Sequence, residues 1–343
     1  MLLSKCDALP IGDRRLPIRR SQRQEVLLIH PDIGNRKPSM ANYILCPGQG
    51  AQAVGMGKDF YESFPESKAV FDRANDVIGF DLSKICFDGP EDELTKTNIS
   101  QPAIYVTSIA AHAAAKAAGK LNAASYAYAG LSLGEYTALH LAGVFSFEVG
   151  LKLVAARGRF MQEAATATPS TMVAVMGGDE TQITQLCNDQ AQGEVLVPAN
   201  FNAPGQIVVS GSINACARFG EAASAAGLRA IPLTVAGAFH SPIMQSGADK
   251  MAQALAGVAF TAPASPVYSN VTASLHTDVD SIKKLLVDQI VKPVRWEQTM
   301  AQIANVEGNH FVELAPGKVL TGLLRKQNRR ADIATYATAD TLK

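Results

Sequence analysis

Apolar and polar positions first fall into a regular rhythm at Tyr43. The run "YILC" (43–46) has the length and composition of a short strand, "PGQGAQAVGMG" (47–57) is a glycine-rich turn, and a helical pattern follows to about Ile78. Residues 101–118 read as a long alanine-rich helix. "SYAYAG" (125–130) reads as a strand that ends at "GLSLG" and gives way to another helix.

Beyond Glu163 the texture changes. "TMVAVMGG" (171–178) and "GQIVVSGS" (205–212) read as strands, helical segments fall at 179–190 and 213–226, and "RAIPLTV" follows. This βαββαβ-like rhythm predicts a small ferredoxin-like α+β subdomain over 165–236, inserted into a larger domain. The first texture then returns, with helices at 244–256 and 281–290, "PVYSNV" as a strand, and "HFVELAPGKVLTGLLRK" as strand, glycine turn and helix. The expected fold is α/β: a discontinuous large domain (40–164 and 237–343) built on a parallel sheet, with a cleft where the inserted part meets it. Neither an internal repeat nor a low-complexity linker is evident.

Residues 1–39 differ, with a cluster of arginines (Arg14, Arg15, Arg19, Arg20, Arg23) and little apolar periodicity apart from "VLLIH". Asp7, Asp13, Glu25 and Asp32 argue against a transit peptide. A flexible extension, or a reading frame whose true start is Met40, is the expectation for this stretch.

At 343 residues and 47% apolar content the chain can build a large core, and its 31 basic and 31 acidic residues cancel. That balance gives no global field for nucleic acid. The longest apolar stretches fall short of a membrane span, and 109–118 carries His112 and Lys116. Five scattered cysteines, with no CxxC pair, fit reduced thiols in a cytoplasmic setting and suggest no metal site.

Gly130-Leu131-Ser132-Leu133-Gly134 matches G-x-S-x-G in a strand–turn–helix context, the pattern of a nucleophile elbow. Such a turn lifts the serine hydroxyl above the sheet and aims the first free helical N–H groups, beginning with Leu133, at the space beside it. Of six histidines, His240 in "VAGAFHSPIM" stands in a loop where the chain re-enters the large domain, the best position for a partner base. On a helical projection of 148–164, Arg157 falls on the apolar arc of Val149, Leu153, Phe160 and Ala164. A buried arginine needs a partner, either a protein carboxylate or one carried by a substrate.

Several motifs in order, "PGQGAQAVGMG", "ELTKTNISQPAIY", "GLSLGEYTAL", "RGRFMQEA", "NFNAPGQIVVSG", "GAFHSPIM", "QIVKPVRW" and "ELAPGKVLTGL", resemble the malonyl-CoA:acyl carrier protein transacylases from about Asn42 to Leu324. The resemblance implies an α/β-hydrolase-like large domain and ping-pong transfer of malonate from malonyl-CoA to a holo acyl carrier protein. It implies no cofactor and no metal, and a monomer is expected. In its terms Ser132 carries the acyl group, His240 is the base, and the backbone carbonyl of Gln289 holds the far nitrogen of that histidine. Gln49 and the Leu133 N–H form the oxyanion hole, and Arg157 holds the malonate carboxylate. Asn200 and Asn202 border the entrance, and Phe239, as in "AFH", crowds the carbon between the two carbonyls.

Leu131 departs from the histidine that often precedes the serine in this family, and its side chain is expected to face away from the reacting centre. The basic run Arg325, Lys326, Arg329 and Arg330 is a solvated helix face or a contact for an acidic carrier protein. Two other functions fit part of the pattern. A serine hydrolase of α/β-hydrolase type would need an acid between Ser132 and His240, where Asp179 and Glu180 fall inside the inserted segment. A non-catalytic carrier-binding scaffold would be expected to lack Ser132, His240 or Arg157.

Overall fold

The computed structural model describes residues 41–343, so the expectations for residues 1–39 lie outside the described residues. Strand β1 (Asn42–Cys46) runs between β2 (Ala127–Gly130) and β8 (His310–Leu314), with β9 (Asp332–Tyr336) beyond β8, and every pairing is parallel. Its side chains alternate between two buried faces. Ile44 and Cys46 join the larger core with Tyr128, Leu133 and Val154, while Tyr43 and Leu45 pack with Trp296, Phe311 and Leu324. A strand covered by helices on both faces has to be apolar at consecutive positions, which is why "YILC" shows no polar alternation.

The second sheet contains β3 (Ser170–Met176), β4 (Leu196–Ala203), β5 (Gln206–Ser212) and β6 (Arg229–Pro232) in the order β6-β3-β5-β4, with β7 (Val294–Arg295) added parallel to β4. The first four strands pair antiparallel in the 4-1-3-2 order of a ferredoxin-like sheet. Val173, Val175, Ile207 and Val209 pack on one face against Ile183, Cys187, Cys216 and Phe219 of the helices Glu180–Ala191 and Ile213–Ala225. Met172 and Val208 point the other way, into the larger core. The fold class expected from the sequence is the one observed.

Three local expectations need correction. The helical pattern to Ile78 is two helices, Lys58–Ser63 and Pro65–Ile78, because Pro65 has no N–H to continue the first and is suited to start the second. β4 is absent from the sequence reading because Pro198 and two asparagines interrupt its alternation, and its register shifts beside Pro198 and again beside Phe201. "PVYSNV" is not a strand but carries only isolated bridges, Tyr128 to Val267 and Tyr268 to Leu275. Its chain turns back at once, with Ser269 N–H donating to the Ser274 carbonyl.

Candidate active site

The elbow at Ser132 is built by close backbone approach. A Cβ on Gly130 would lie 2.0 Å from the Gly134 carbonyl, and one on Gly134 would lie 2.0 Å from the Cys46 carbonyl oxygen. Only glycine fits at both corners. Ser132 between them takes a left-handed φ of 52°, and the helix Gly134–Leu141 starts immediately afterwards. Asn270 braces the turn: its Oδ1 accepts from the Ser132 N–H at 2.5 Å and its Nδ2 donates to the Gly130 carbonyl at 2.7 Å. The Leu133 N–H, one step further on at the N-cap of the helix, donates to no acceptor among the described residues.

His240 also has a left-handed backbone, φ 57°, in the loop before a short 3₁₀ turn (Pro242–Met244). Its Nε2 lies 2.9 Å from Ser132 Oγ, and its Nδ1 lies 2.6 Å from the backbone carbonyl of Gln289. With the proton on Nδ1 donated to that carbonyl, Nε2 is left to accept from the serine hydroxyl. Gln289 sits in the last turn of the helix Val279–Val291, where the natural partner of its carbonyl is the N–H four residues on. That residue is Pro293, which has none, so "QIVKP" frees one helical carbonyl for the imidazole. Burial pushes the His240 pKa down to about 3, with the nearby Arg157 charge adding to the effect and the Gln289 hydrogen bond opposing it.

Arg157, on the helix Phe147–Ala167, is 1% exposed, as its place on the apolar arc predicts. Its Nη1 donates to Gln101 Oε1 at 2.7 Å, and its Nη2 donates to Gln289 Oε1 at 2.8 Å and to Ser132 Oγ at 3.1 Å. Among the described residues these acceptors are all neutral, and Nε has no partner. The guanidinium also stands 5.6 Å from the centre of the Tyr136 ring, whose hydroxyl burial pushes further from ionisation. An enclosed cation held only by amides and a hydroxyl is suited to receive an anionic group next to that hydroxyl.

These groups open into a cleft of ≈ 740 Å³ between the two sheets, lined by Ser132, His240 and Arg157 together with Gln49, Asn200, Asn202 and Phe239. The residues to which the resemblance gives a role therefore border one cavity or, for Leu133 and Gln289, adjoin the residues that do. Phe239 is buried, and its carbonyl accepts from Ser210 Oγ at 2.6 Å, which pins the backbone just before His240. Leu131 borders the cleft, and its side chain packs against the cluster that contains Tyr43 and Leu45. Asp179 caps a helix through the Gln182 N–H and Glu180 pairs with Arg295, so neither serves His240.

A family model described as an acyl transferase domain matches residues 43–343. The malonyl CoA-acyl carrier protein transacylase of Escherichia coli strain K12 is 41% identical over 281 residues, covering 82% of this chain and 90% of that protein. This chain belongs to the acyl transferase family of malonyl CoA-acyl carrier protein transacylases. The solved transacylase from Clostridium perfringens matches with a TM-score of 0.82 at 37% identity, covering 89% of this chain and 95% of the other. A malonyl-transacylase solved with its holo type II polyketide-synthase acyl-carrier protein matches with a TM-score of 0.82 at 37% identity, over 89% and 98% of the two chains.

The acyltransferase site holds further residues to which the sequence reading gave no role. Gln101, Glu135 and Asn270 lie inside quoted motifs or predicted elements, yet each is buried and polar and each bonds directly to Arg157, Gln289 or the elbow. His276 is buried beside Glu135, with Nε2 2.7 Å from Glu135 Oε1. Lys96 borders the cleft and pairs with Glu93. The one sequence signal for this group is chemical: a glutamate or asparagine amid apolar neighbours has to find partners when buried. The basic run after Leu324 is solvent-exposed at Arg325 and Lys326 and does not border the cleft.

Proposed function

We propose that this acyltransferase moves a malonyl group from malonyl-CoA to the phosphopantetheine thiol of a holo acyl carrier protein, through an ester on Ser132, in fatty-acid biosynthesis. The observation that carries the reading is the buried Arg157, whose neutral partners leave its charge for a substrate carboxylate within reach of the nucleophile. The relatives are named for this transfer, and one neighbour was solved with a carrier protein.

The chemistry follows from the hydrogen-bond directions. Ser132 Oγ attacks the thioester carbonyl while its proton passes to His240 Nε2, and the Gln289 carbonyl steadies the imidazolium through Nδ1. Negative charge on the carbonyl oxygen meets the Leu133 N–H and Gln49. The C–S bond then breaks, and the CoA thiolate takes the proton from His240. In the second half the carrier thiol gives its proton to His240 as its sulfur attacks the ester, and Ser132 leaves with that proton. Arg157 holds the carboxylate in both halves, Phe239 limits the size of the α-carbon, and Asn200 and Asn202 border the entrance. A hydrolase triad is the weaker reading because His240 Nδ1 meets a backbone carbonyl rather than a carboxylate.

No helix of the described residues is long and apolar enough to cross a membrane. Burial of Cys46, Cys86, Cys187 and Cys216 as free thiols suits a reducing compartment, so the cytoplasm is the proposed location. A monomer is the proposed state, with 165–236 as a small subdomain that forms one wall of the cleft.

The test is intact-protein mass spectrometry after brief mixing with malonyl-CoA, acetyl-CoA or methylmalonyl-CoA, with Ser132→Ala as control. A malonyl adduct that requires Ser132 and passes to holo carrier protein supports the transfer. An adduct lost equally fast in buffer supports the hydrolase, and no adduct from any thioester leaves only a scaffold.

A further inference from the structure

Gln289 meets the site from three sides. Its backbone carbonyl accepts from His240 Nδ1, its side-chain Oε1 accepts from Arg157 Nη2, and its Nε2 donates to the Ser132 carbonyl at 3.0 Å and to Glu135 Oε2 at 2.6 Å. The backbone contact needs no particular side chain at 289. The other contacts need an amide turned one way.

Glu135 determines that direction. It is fully buried in the first turn of the elbow helix, and it gathers three nitrogens: His276 Nε2, Gln289 Nε2 and the Asn270 N–H at 3.1 Å. Turned over, the Gln289 amide would set its oxygen against Glu135 Oε2 and the Ser132 carbonyl, two acceptors, and its NH₂ against the Arg157 guanidinium, a donor. Every contact at both ends would be repulsive. Turned as observed, every contact pairs a donor with an acceptor.

We infer that Glu135 is a positioning residue, acting through the side chain of Gln289 to fix how Arg157 presents its guanidinium to the acyl carboxylate. Gln289 and Gln101 hold the fork from either side with their amide oxygens, and Glu135 locks the first of them. The same carboxylate reaches Asn270, so one buried acid ties the orientation of the arginine to the brace on Ser132. The inference rests on the reading of Arg157 as the carboxylate site and extends it to what sets malonate apart from acetate.

The test compares single-turnover acylation of Ser132 by malonyl-CoA and acetyl-CoA in wild type and Glu135→Gln, with circular dichroism to verify folding. The glutamine keeps size and shape but must aim an NH₂ at one of three donors. The malonyl-to-acetyl rate ratio is expected to fall by about 10- to 100-fold, the scale of a displacement of about 1 Å in a reacting group. In a Gln289→Met background, which keeps the backbone carbonyl on His240, Glu135→Gln is expected to change the ratio no further.

Equal loss of both rates would mean a merely structural role and overturn the inference. A second full drop in the Gln289→Met background would overturn the route through Gln289. Should Glu135→Gln not fold, Gln289→Met alone decides: an unchanged ratio overturns the inference and a fall of similar size supports it. Wild-type protein that takes both acyl groups at the same rate would overturn the reading of Arg157 itself, an outcome visible before any variant is made.

Discussion

Ser132 and His240 both hold left-handed backbones, φ 52° and 57°, and this brings Oγ and Nε2 to 2.9 Å. Neither is a glycine, so each conformation is strained and persists because its surroundings impose it. At Ser132 the imposing parts are the glycine contacts and Asn270. Gly134→Ala would force a methyl to within 2.0 Å of the Cys46 carbonyl oxygen, with Pro47 also close. We expect a loss of about 1–3 kcal/mol in stability, with acylation of Ser132 slowed well beyond what that loss explains. Urea denaturation and burst-phase acylation, measured on the same preparation, check both.

Arg157→Ala removes the charge and leaves the Gln101 and Gln289 oxygens without their donor. The expected result is a fall in kcat/KM for malonyl-CoA of about 10²- to 10³-fold, or about 3–4 kcal/mol of transition-state stabilisation, as for a broken buried ion pair. Acetyl-CoA carries no carboxylate and should be affected far less. Steady-state kinetics with both thioesters checks it, and equal losses would count against a carboxylate site.

Phe239 borders the cleft beside the base while its carbonyl is fixed by Ser210. Phe239→Ala should open space at the α-carbon without releasing the backbone. Methylmalonyl-CoA should gain on malonyl-CoA by about 10- to 100-fold, the range one methyl is worth in a tight pocket. Competition between the two thioesters for Ser132, read by mass, gives the ratio directly.

The low pKa of His240 makes two pH predictions. Because burial holds it near 3, the base is already neutral at pH 5, and kcat/KM should show no acid limb near the ordinary value of 6.5. Stability runs the same way: below about pH 6.5 the unfolded chain binds a proton at this residue that the folded chain refuses. The contribution is complete above 6.5 and is lost as pH falls toward about 3, at up to about 1.4 kcal/mol per pH unit. His112, pushed by burial to about 4, acts in the same sense. Urea titrations from pH 7.5 to 5 should show the decline, and His240→Gln should make it shallower, leaving the part due to His112.

Much of this site is determined by local sequence. The glycines of "GLSLG" dictate a corner that no other residue fits, the 3.6-residue period buries Arg157, and Pro293 in "QIVKP" leaves a helical carbonyl free for a histidine. Those effects act within a turn or two of chain, so a reader of the sequence can find them. The strand β4 escaped because Pro198, Asn200 and Asn202 break its alternation, and the bend in "PVYSNV" escaped because Asn270 answers to distant partners rather than to a local period. Asn270 bonds Ser132 across 138 positions, and Glu135 bonds Gln289 across 154. A buried amide or carboxylate has to be paired, and the sequence states that need; which of many possible partners meets it depends on how the sheets and helices close on one another, and only the tertiary structure decides that.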